Sequence, residues 1–190
     1  MAEEPSTNEA AHDRDLLKRL IISHADLQMA LSAITFLCEI DDDATYGKVE
    51  LRRFKCYETT FVVSYGRAFT KNRGTKFPVV PLKRIGVDLT PSERTLHESI
   101  LDLRHKVYAH SDEAFTHVRL DMHEMDIGGK TLRYPHFQFD HGLEFAELFK
   151  RIATVELTRK IMDGLYDTVQ TLGKSMPDSF MYITPTAAAD

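Results

Sequence analysis

Cysteine is scarce in this chain of 190 residues: Cys38 and Cys56 are the only two, and they form no CxxC spacing. That argues against a disulfide framework and against a zinc site built on cysteine pairs. Both fall in apolar, helix-patterned stretches, which predicts reduced and buried thiols. There is no run of 18 consecutive apolar residues, so no membrane span is expected. Residues 1–10 are acidic and polar and lack the apolar centre of a secretory signal. Together these features predict a cytoplasmic protein that does not engage a membrane. Positive charge is in deficit, with 24 Lys and Arg against 29 Asp and Glu, a net charge of −5. Such a balance disfavours a broad, nonspecific nucleic-acid binder but leaves room for a local basic site.

What is present fits one folded domain: 43% of residues are apolar and 28% charged. Residues 1–12, with Pro5, Ser6, Thr7 and Asn8 among small and acidic neighbours, are expected to be disordered. From Asp13 a helix is predicted, with Leu16, Leu17, Leu20, Ile21, His24, Leu27, Leu31, Ile34 and Cys38 recurring at steps of three and four. A second helix spans about Tyr46 to Phe69, its apolar stripe made by Phe54, Tyr57, Phe61, Val62, Tyr65 and Phe69. A third begins at Thr90-Pro91-Ser92-Glu93, which has a cap, a proline at the first helical position and an acid at the third. Leu96, Ile100, Leu103 and Val107 give its inner face, and it is expected to end near His110.

The period then changes to two. Phe115, His117, Arg119 and Asp121 alternate with Thr116, Val118, Leu120 and Met122, and Gly128-Gly129 suits a two-residue hairpin turn. Centring the turn there sets Met125 opposite Leu132, His123 opposite Tyr134 and Asp121 opposite His136. Pro135 marks the return strand as an edge. A last helix, about Leu143 to Leu172, is predicted to turn Phe145, Leu148, Phe149, Ile152, Val155, Ile161, Leu165, Val169 and Leu172 inward. Residues 174–190 read as a tail. The expected fold is thus mainly all-α: an up-down four-helix bundle over 13–173 with a β-hairpin (114–139) inserted between helices 3 and 4.

Two segments carry the functional signal. Residues 66–86 hold Arg67, Lys71, Arg73, Lys76, Lys83 and Arg84 without a single carboxylate, and Gly74, Pro78 and Pro81 break any helix there. This loop either attracts RNA or is simply solvated. Arg67, following Tyr65, is the member placed to reach a site across the bundle. The second segment is the end of the third helix, Leu103-Arg104-His105-Lys106-Val107-Tyr108-Ala109-His110-Ser111-Asp112. A guanidinium grips phosphate with two parallel donors, and an imidazole exchanges protons near neutrality. Arg19 and His24 share the Arg-x-x-x-x-His spacing, but in mid-helix, where 100° per residue makes the two side chains diverge.

The string Arg104-His105-x-x-x-x-His110 resembles the R-x(4–6)-H motif of the HEPN superfamily (higher eukaryotes and prokaryotes nucleotide-binding), and LRHKVYAHSD looks like the branch found in abortive-infection systems. The resemblance implies a helical bundle, a homodimer in which two motif copies meet, and a metal-independent endoribonuclease needing no cofactor. It further implies a toxin or antiphage effector, with an antitoxin as a conceivable partner. Carried over by position, Arg104 binds the scissile phosphate, His110 is the acid/base and His105 helps orient them. Arg67, Lys71, Arg73, Lys106 and Tyr108 are the candidate RNA contacts. The alternative is an inactive bundle of the same kind that binds RNA, a nucleotide or a protein. His117 and His123 share one strand face, with His136 diagonal to His123, but no HExxH or cysteine pair accompanies them, so surface histidines are expected there rather than a metal site.

Overall fold

The computed structural model describes residues 7–71, 79–108, 118–139 and 142–174, with side chains over 12–71, 79–106, 120–136 and 142–174. Four helices are present: α1 (Thr7–Leu37), α2 (Lys48–Phe69), α3 (Pro91–Leu103) and α4 (Leu148–Gly173). A two-stranded antiparallel hairpin, β1 (Val118–Ile127) and β2 (Lys130–Phe139), lies between α3 and α4. The mainly helical fold with an inserted hairpin is therefore as expected. α1 packs on α2 and α4, and α3 packs on the other side of the same pair. The core is built from Leu16, Leu20, Leu27 and Ile34 of α1, Phe61, Val62 and Tyr65 of α2, Ile100 of α3, and Leu157, Ile161 and Leu165 of α4.

Local chemistry explains the sharpest boundaries. Thr90 caps α3 through a reciprocal box: its hydroxyl accepts from the Glu93 amide at 3.3 Å, and its own amide donates to Glu93 Oε2 at 2.7 Å. Glu93 also receives Lys160 of α4 at 2.7 Å, which ties the start of α3 to the bundle. The hairpin pairs Met125 with Leu132, His123 with Tyr134 and Asp121 with His136, the register set by a turn centred on Gly128-Gly129. Both glycines have positive φ, 57° and 77°, which a two-residue turn of this hand requires.

Several expectations are corrected. α1 begins at Thr7, so residues 7–12 are helical rather than disordered; residues 1–6 and 175–190 lie outside the described residues. By length and hydropathy, His12–Leu37 of α1 is apolar enough to cross a bilayer, although no apolar run is unbroken. Cys56 is exposed, because it sits on the outer side of α2, and Cys38 is half-buried; burial pushes the Cys38 thiol up from its ordinary value. Ile21 faces out, while Arg19 is buried. Its Nη2 donates to the carbonyls of Arg67 (2.9 Å) and Ala68 (2.7 Å), closing the C-terminal end of α2. The Arg19–His24 copy of the spacing is thus structural on its arginine side. The distal part of the basic loop is packed: Val80, Ile85 and Val87 are buried, and Arg84 bonds Asp13 at 2.9 Å and His12 at 2.5 Å.

α4 departs most from its pattern. It starts at Leu148, not Leu143, and Phe149 is 84% exposed, with Leu148 and Ile152 also outward. The inward positions of its first turns are Arg151, Thr154, Leu157 and Thr158. The cause is polar. Glu58 of α2, fully buried, accepts the Phe145 amide at 3.1 Å, and Lys55 donates to the Gly142 carbonyl at 2.9 Å. Arg151, also fully buried, donates to the carbonyls of Phe145, Ala146 and Ile40 and to Asp42 Oδ1 at 2.5 Å. Residues 142–147 are thereby held as a loop. Phe145 still reaches the core, meeting Phe61 edge-on at 5.1 Å.

Removing this guanidinium leaves three carbonyls and a carboxylate without their donor. Arg151→Ala should cost about 3–5 kcal/mol, read as a fall in the urea midpoint. Arg151→Lys should recover little of it, since one ammonium cannot span both sides of the fork.

Candidate functional site

At the end of α3 the helix widens into a single π turn, Arg104–Tyr108. Such turns are rare and often accompany functional positions. Arg104 continues the helical backbone, its amide donating to the carbonyls of Ile100 and Leu101. Its side chain lies across α2 at Gly66. A Cβ on Gly66 would fall 2.0 Å from Arg104 Cδ and 2.9 Å from Nε, so only glycine leaves room for this crossing. The Nε of Arg104 is buried and has no hydrogen-bond partner. Arg19 and Arg151 share that deficit at Nε, but both spend their terminal nitrogens on carbonyls. Among the described residues no acid or carbonyl engages the guanidinium of Arg104. Asp102, the nearest acid in sequence, is taken by Lys106 at 2.9 Å.

Two residues that sequence reasoning passed over complete the surroundings. His97 stands seven residues before Arg104, two turns back on the same face of α3. Its Nδ1 lies 2.7 Å from the Tyr65 hydroxyl, and its ring meets Phe69 edge-on at 4.7 Å. Tyr65 is fully buried, and burial pushes its phenol far above the ordinary value, so the hydroxyl keeps its proton and donates. Directing that hydrogen at His97 makes Nδ1 the acceptor and assigns the ring hydrogen to Nε2. Burial also lowers the His97 pKa, which favours this neutral form. Spacing from Arg104 was the available signal for His97; for Tyr65 there was none beyond its place in an apolar stripe.

The other candidates are distributed less favourably. His105 is exposed beside Arg104. Lys106 is exposed and held by Asp102. Arg67 turns to α1, where it pairs with Asp26 at 3.5 Å, rather than reaching across to the α3 end. Lys71 is exposed. Tyr108 closes the π turn, its side chain lying outside the described residues. Arg73, His110 and His117 lie outside them altogether. On the hairpin His123 stacks with Tyr134 at 5.8 Å and meets His136 edge-on at 5.3 Å. No group of three potential metal ligands occurs among the described residues.

A cleft of about 230 Å³ opens beside the motif, lined by Ser99, Asp102, Leu103, Lys106, Phe145 and Lys150, among others. Its two lysines each have a neighbouring acid, Lys106 with Asp102 and Lys150 with Glu144 at 3.9 Å. Arg104, against Gly66, has no counter-charge among the described residues. No family model matches the chain, and neither a curated protein nor a solved structure matches it significantly.

Two outcomes follow. Gly66→Ala should cost about 1–3 kcal/mol, since the new Cβ falls 2.0 Å from Arg104 Cδ and must displace that side chain. Faster solvent exchange of the Arg104 Nε–H by NMR, with unchanged helix content, is the expected reading. For His97 the folded pKa lies below the unfolded one, so the unfolded chain binds the extra proton. Stability should therefore fall as pH drops below about 6.5. His97→Phe should flatten the urea-midpoint profile in that window, above the range where Asp42 and Glu93 titrate.

Proposed function

We propose that this chain is a HEPN-like, metal-independent endoribonuclease in which Arg104 grips the scissile phosphate and His110, aided by His105, moves the protons. The observation that carries the reading is the guanidinium at the π turn: partly buried, held over Gly66, and without a counter-charge among the described residues. A buried donor lacking an acceptor is costly, and an incoming phosphate oxygen relieves that cost while accepting two parallel bonds. In the chemistry proposed, a base removes the proton from a ribose 2′-hydroxyl and the oxygen attacks the adjacent phosphorus. Arg104 stabilises the crowded, negative phosphorane, and an acid protonates the departing 5′-oxygen, leaving a 2′,3′-cyclic phosphate. Cytoplasmic location, a homodimer, and a role as toxin or antiphage effector with an antitoxin belong to the same proposal.

One finding favours the second reading, an inactive module that binds RNA or a nucleotide. Arg67, Lys106 and Arg84 all spend their charge on Asp26, Asp102 and Asp13. The basic surface is therefore thinner than the sequence suggests, and one phosphate at Arg104 fits it better than a long RNA track.

Labelled RNA incubated with the protein in EDTA separates the readings. Under the first, cleavage persists in EDTA and falls about 10²–10³-fold in Arg104→Ala, the usual loss for one transition-state donor, and comparably in His110→Ala. A rate that stays flat between about pH 5 and 9 removes His110 from acid–base work. Arg104-dependent binding without any cleavage leaves the second reading standing.

A further inference from the structure

The hairpin stands apart from the bundle. Among the described elements β1 and β2 pack on each other, and no helix packs comparably on either strand. Leu120, Met125, Ile127 and Leu132 are about half exposed. A two-stranded sheet of this kind is marginal in water and gains from a third strand.

The register shows which edge is open. Gly128 and Gly129 form a two-residue turn with positive φ at both positions, so the flanking pair Ile127–Lys130 exchanges both of its backbone bonds. Pairs then alternate. Met125–Leu132, His123–Tyr134 and Asp121–His136 exchange bonds, while Asp126–Thr131, Glu124–Arg133 and Met122–Pro135 do not. Pro135, which has no N–H, falls in the second class, as the ladder demands. It therefore takes a donor out of the outer edge of β2, and Arg133 stands on that same edge. Proline and long cationic side chains are common means of closing an edge to another strand. β1 has neither between Leu120 and Ile127. The amides and carbonyls of Leu120, Met122, Glu124 and Asp126 face away from β2, in a row of about 20 Å.

The side chains say what kind of strand fits. From Leu120 to Ile127 the charged residues are Asp121, Glu124 and Asp126, all acidic. Lys130 and Arg133 of β2 lie on the other flank, Arg133 opposite Glu124, so an added strand meets the acids from the open side. A second copy would bring its own β1 acids against these, and RNA is repelled by them. We infer that the outer edge of β1 takes an extended segment of a partner protein as a third, antiparallel strand. That segment carries Lys or Arg beside Asp121, Glu124 and Asp126, and apolar residues beside Leu120, Met122, Met125 and Ile127. Backbone bonds supply the affinity, and the alternating side chains the selectivity. The inference does not rest on the nuclease reading.

The probe is the capped peptide Ile-Lys-Val-Lys-Thr-Val-Lys-Ile, whose residues run antiparallel beside Ile127 back to Leu120, titrated into the isotope-labelled full chain. A dissociation constant of about 100 micromolar or tighter is expected, with NMR shifts centred on the amides of Leu120, Met122, Glu124 and Asp126. Methylating the peptide nitrogens that face β1, those opposite these four residues, should weaken binding about tenfold or more, and methylating the alternate nitrogens should not. Met122→Pro copies the device of Pro135 onto β1 and removes only an outward amide. It should weaken binding by a similar factor while cross-strand NOEs between His123 and Tyr134 persist. Glu124→Lys combined with Asp126→Lys should lose this peptide and bind its counterpart with glutamate in place of lysine. No binding at about 1 millimolar, equal loss from both methylation patterns, or an affinity untouched by Met122→Pro would overturn the inference. So would self-association abolished by Met122→Pro, which assigns the edge to a second copy, or RNA shifting the same amides, which assigns it to nucleic acid. Arg104→Ala should bind the peptide like the unmodified chain, so failure here and failure of the RNA reading are told apart.

Discussion

The buried guanidinium of Arg151 is the constraint on which the bundle's closure depends. Taking a full positive charge out of water is affordable only when nearly every donor is used and a counter-charge is near. Here four acceptors meet it, drawn from two chain segments far apart in sequence: Ile40 and Asp42 after α1, Phe145 and Ala146 before α4. The Asp42 carboxyl is held below its ordinary range by that contact. Glu58 and Lys55 hold the same returning loop from the side of α2. One end of the bundle is therefore closed by charge and hydrogen bonds rather than by oil. Because Arg151 must point inward, the first turns of α4 are rotated so that Phe149 points out.

That inversion marks where a reading of the sequence stops working. Apolar periodicity located all four helices, and turn chemistry located the hairpin and its register, because those signals act over a few residues. The box at Thr90 and Glu93 was legible for the same reason. Arg151 and Glu58 were not, since a long-range polar network leaves no periodic trace: each looks like an ordinary solvated residue on a helix. The same holds for Arg19, whose partners are carbonyls at the far end of α2. In each case a charged side chain satisfies backbone groups that the fold has buried, as buried polar groups demand.

The candidate site divides along the same line. Arg104 stood out because its residue type and position at a helix end fit phosphate chemistry. The widening of the helix at that point, and the glycine that gives the side chain room, are properties of three dimensions. His97 shares a face with Arg104 by simple helical arithmetic, yet its tautomer is set by Tyr65, a residue from another helix. Of the basic loop, the sequence showed charge but not pairing. Asp26 and Asp13 on α1 neutralise Arg67 and Arg84, and the valines and isoleucine of the same segment are drawn into the core. A charge count over a window cannot register acids that arrive from elsewhere.

α1 shows the opposite error, a pattern too rich rather than too poor. A helix apolar on one side gives a clean period, but a helix apolar on two sides gives overlapping ones, and Ile21 was assigned to the wrong face. The two sides can be told apart by what interrupts them. The inner side is interrupted by Arg19 and Ser23, both buried; the outer side carries Ile22, Met29 and Phe36, bordered by the half-buried Asp26 and its partner Arg67. A helix that is apolar nearly all round is stable in water only if it is covered nearly all round. α2 and α4 cover the inner side of α1, while Ile22, Met29 and Phe36, one heptad apart, stay exposed on its outer side.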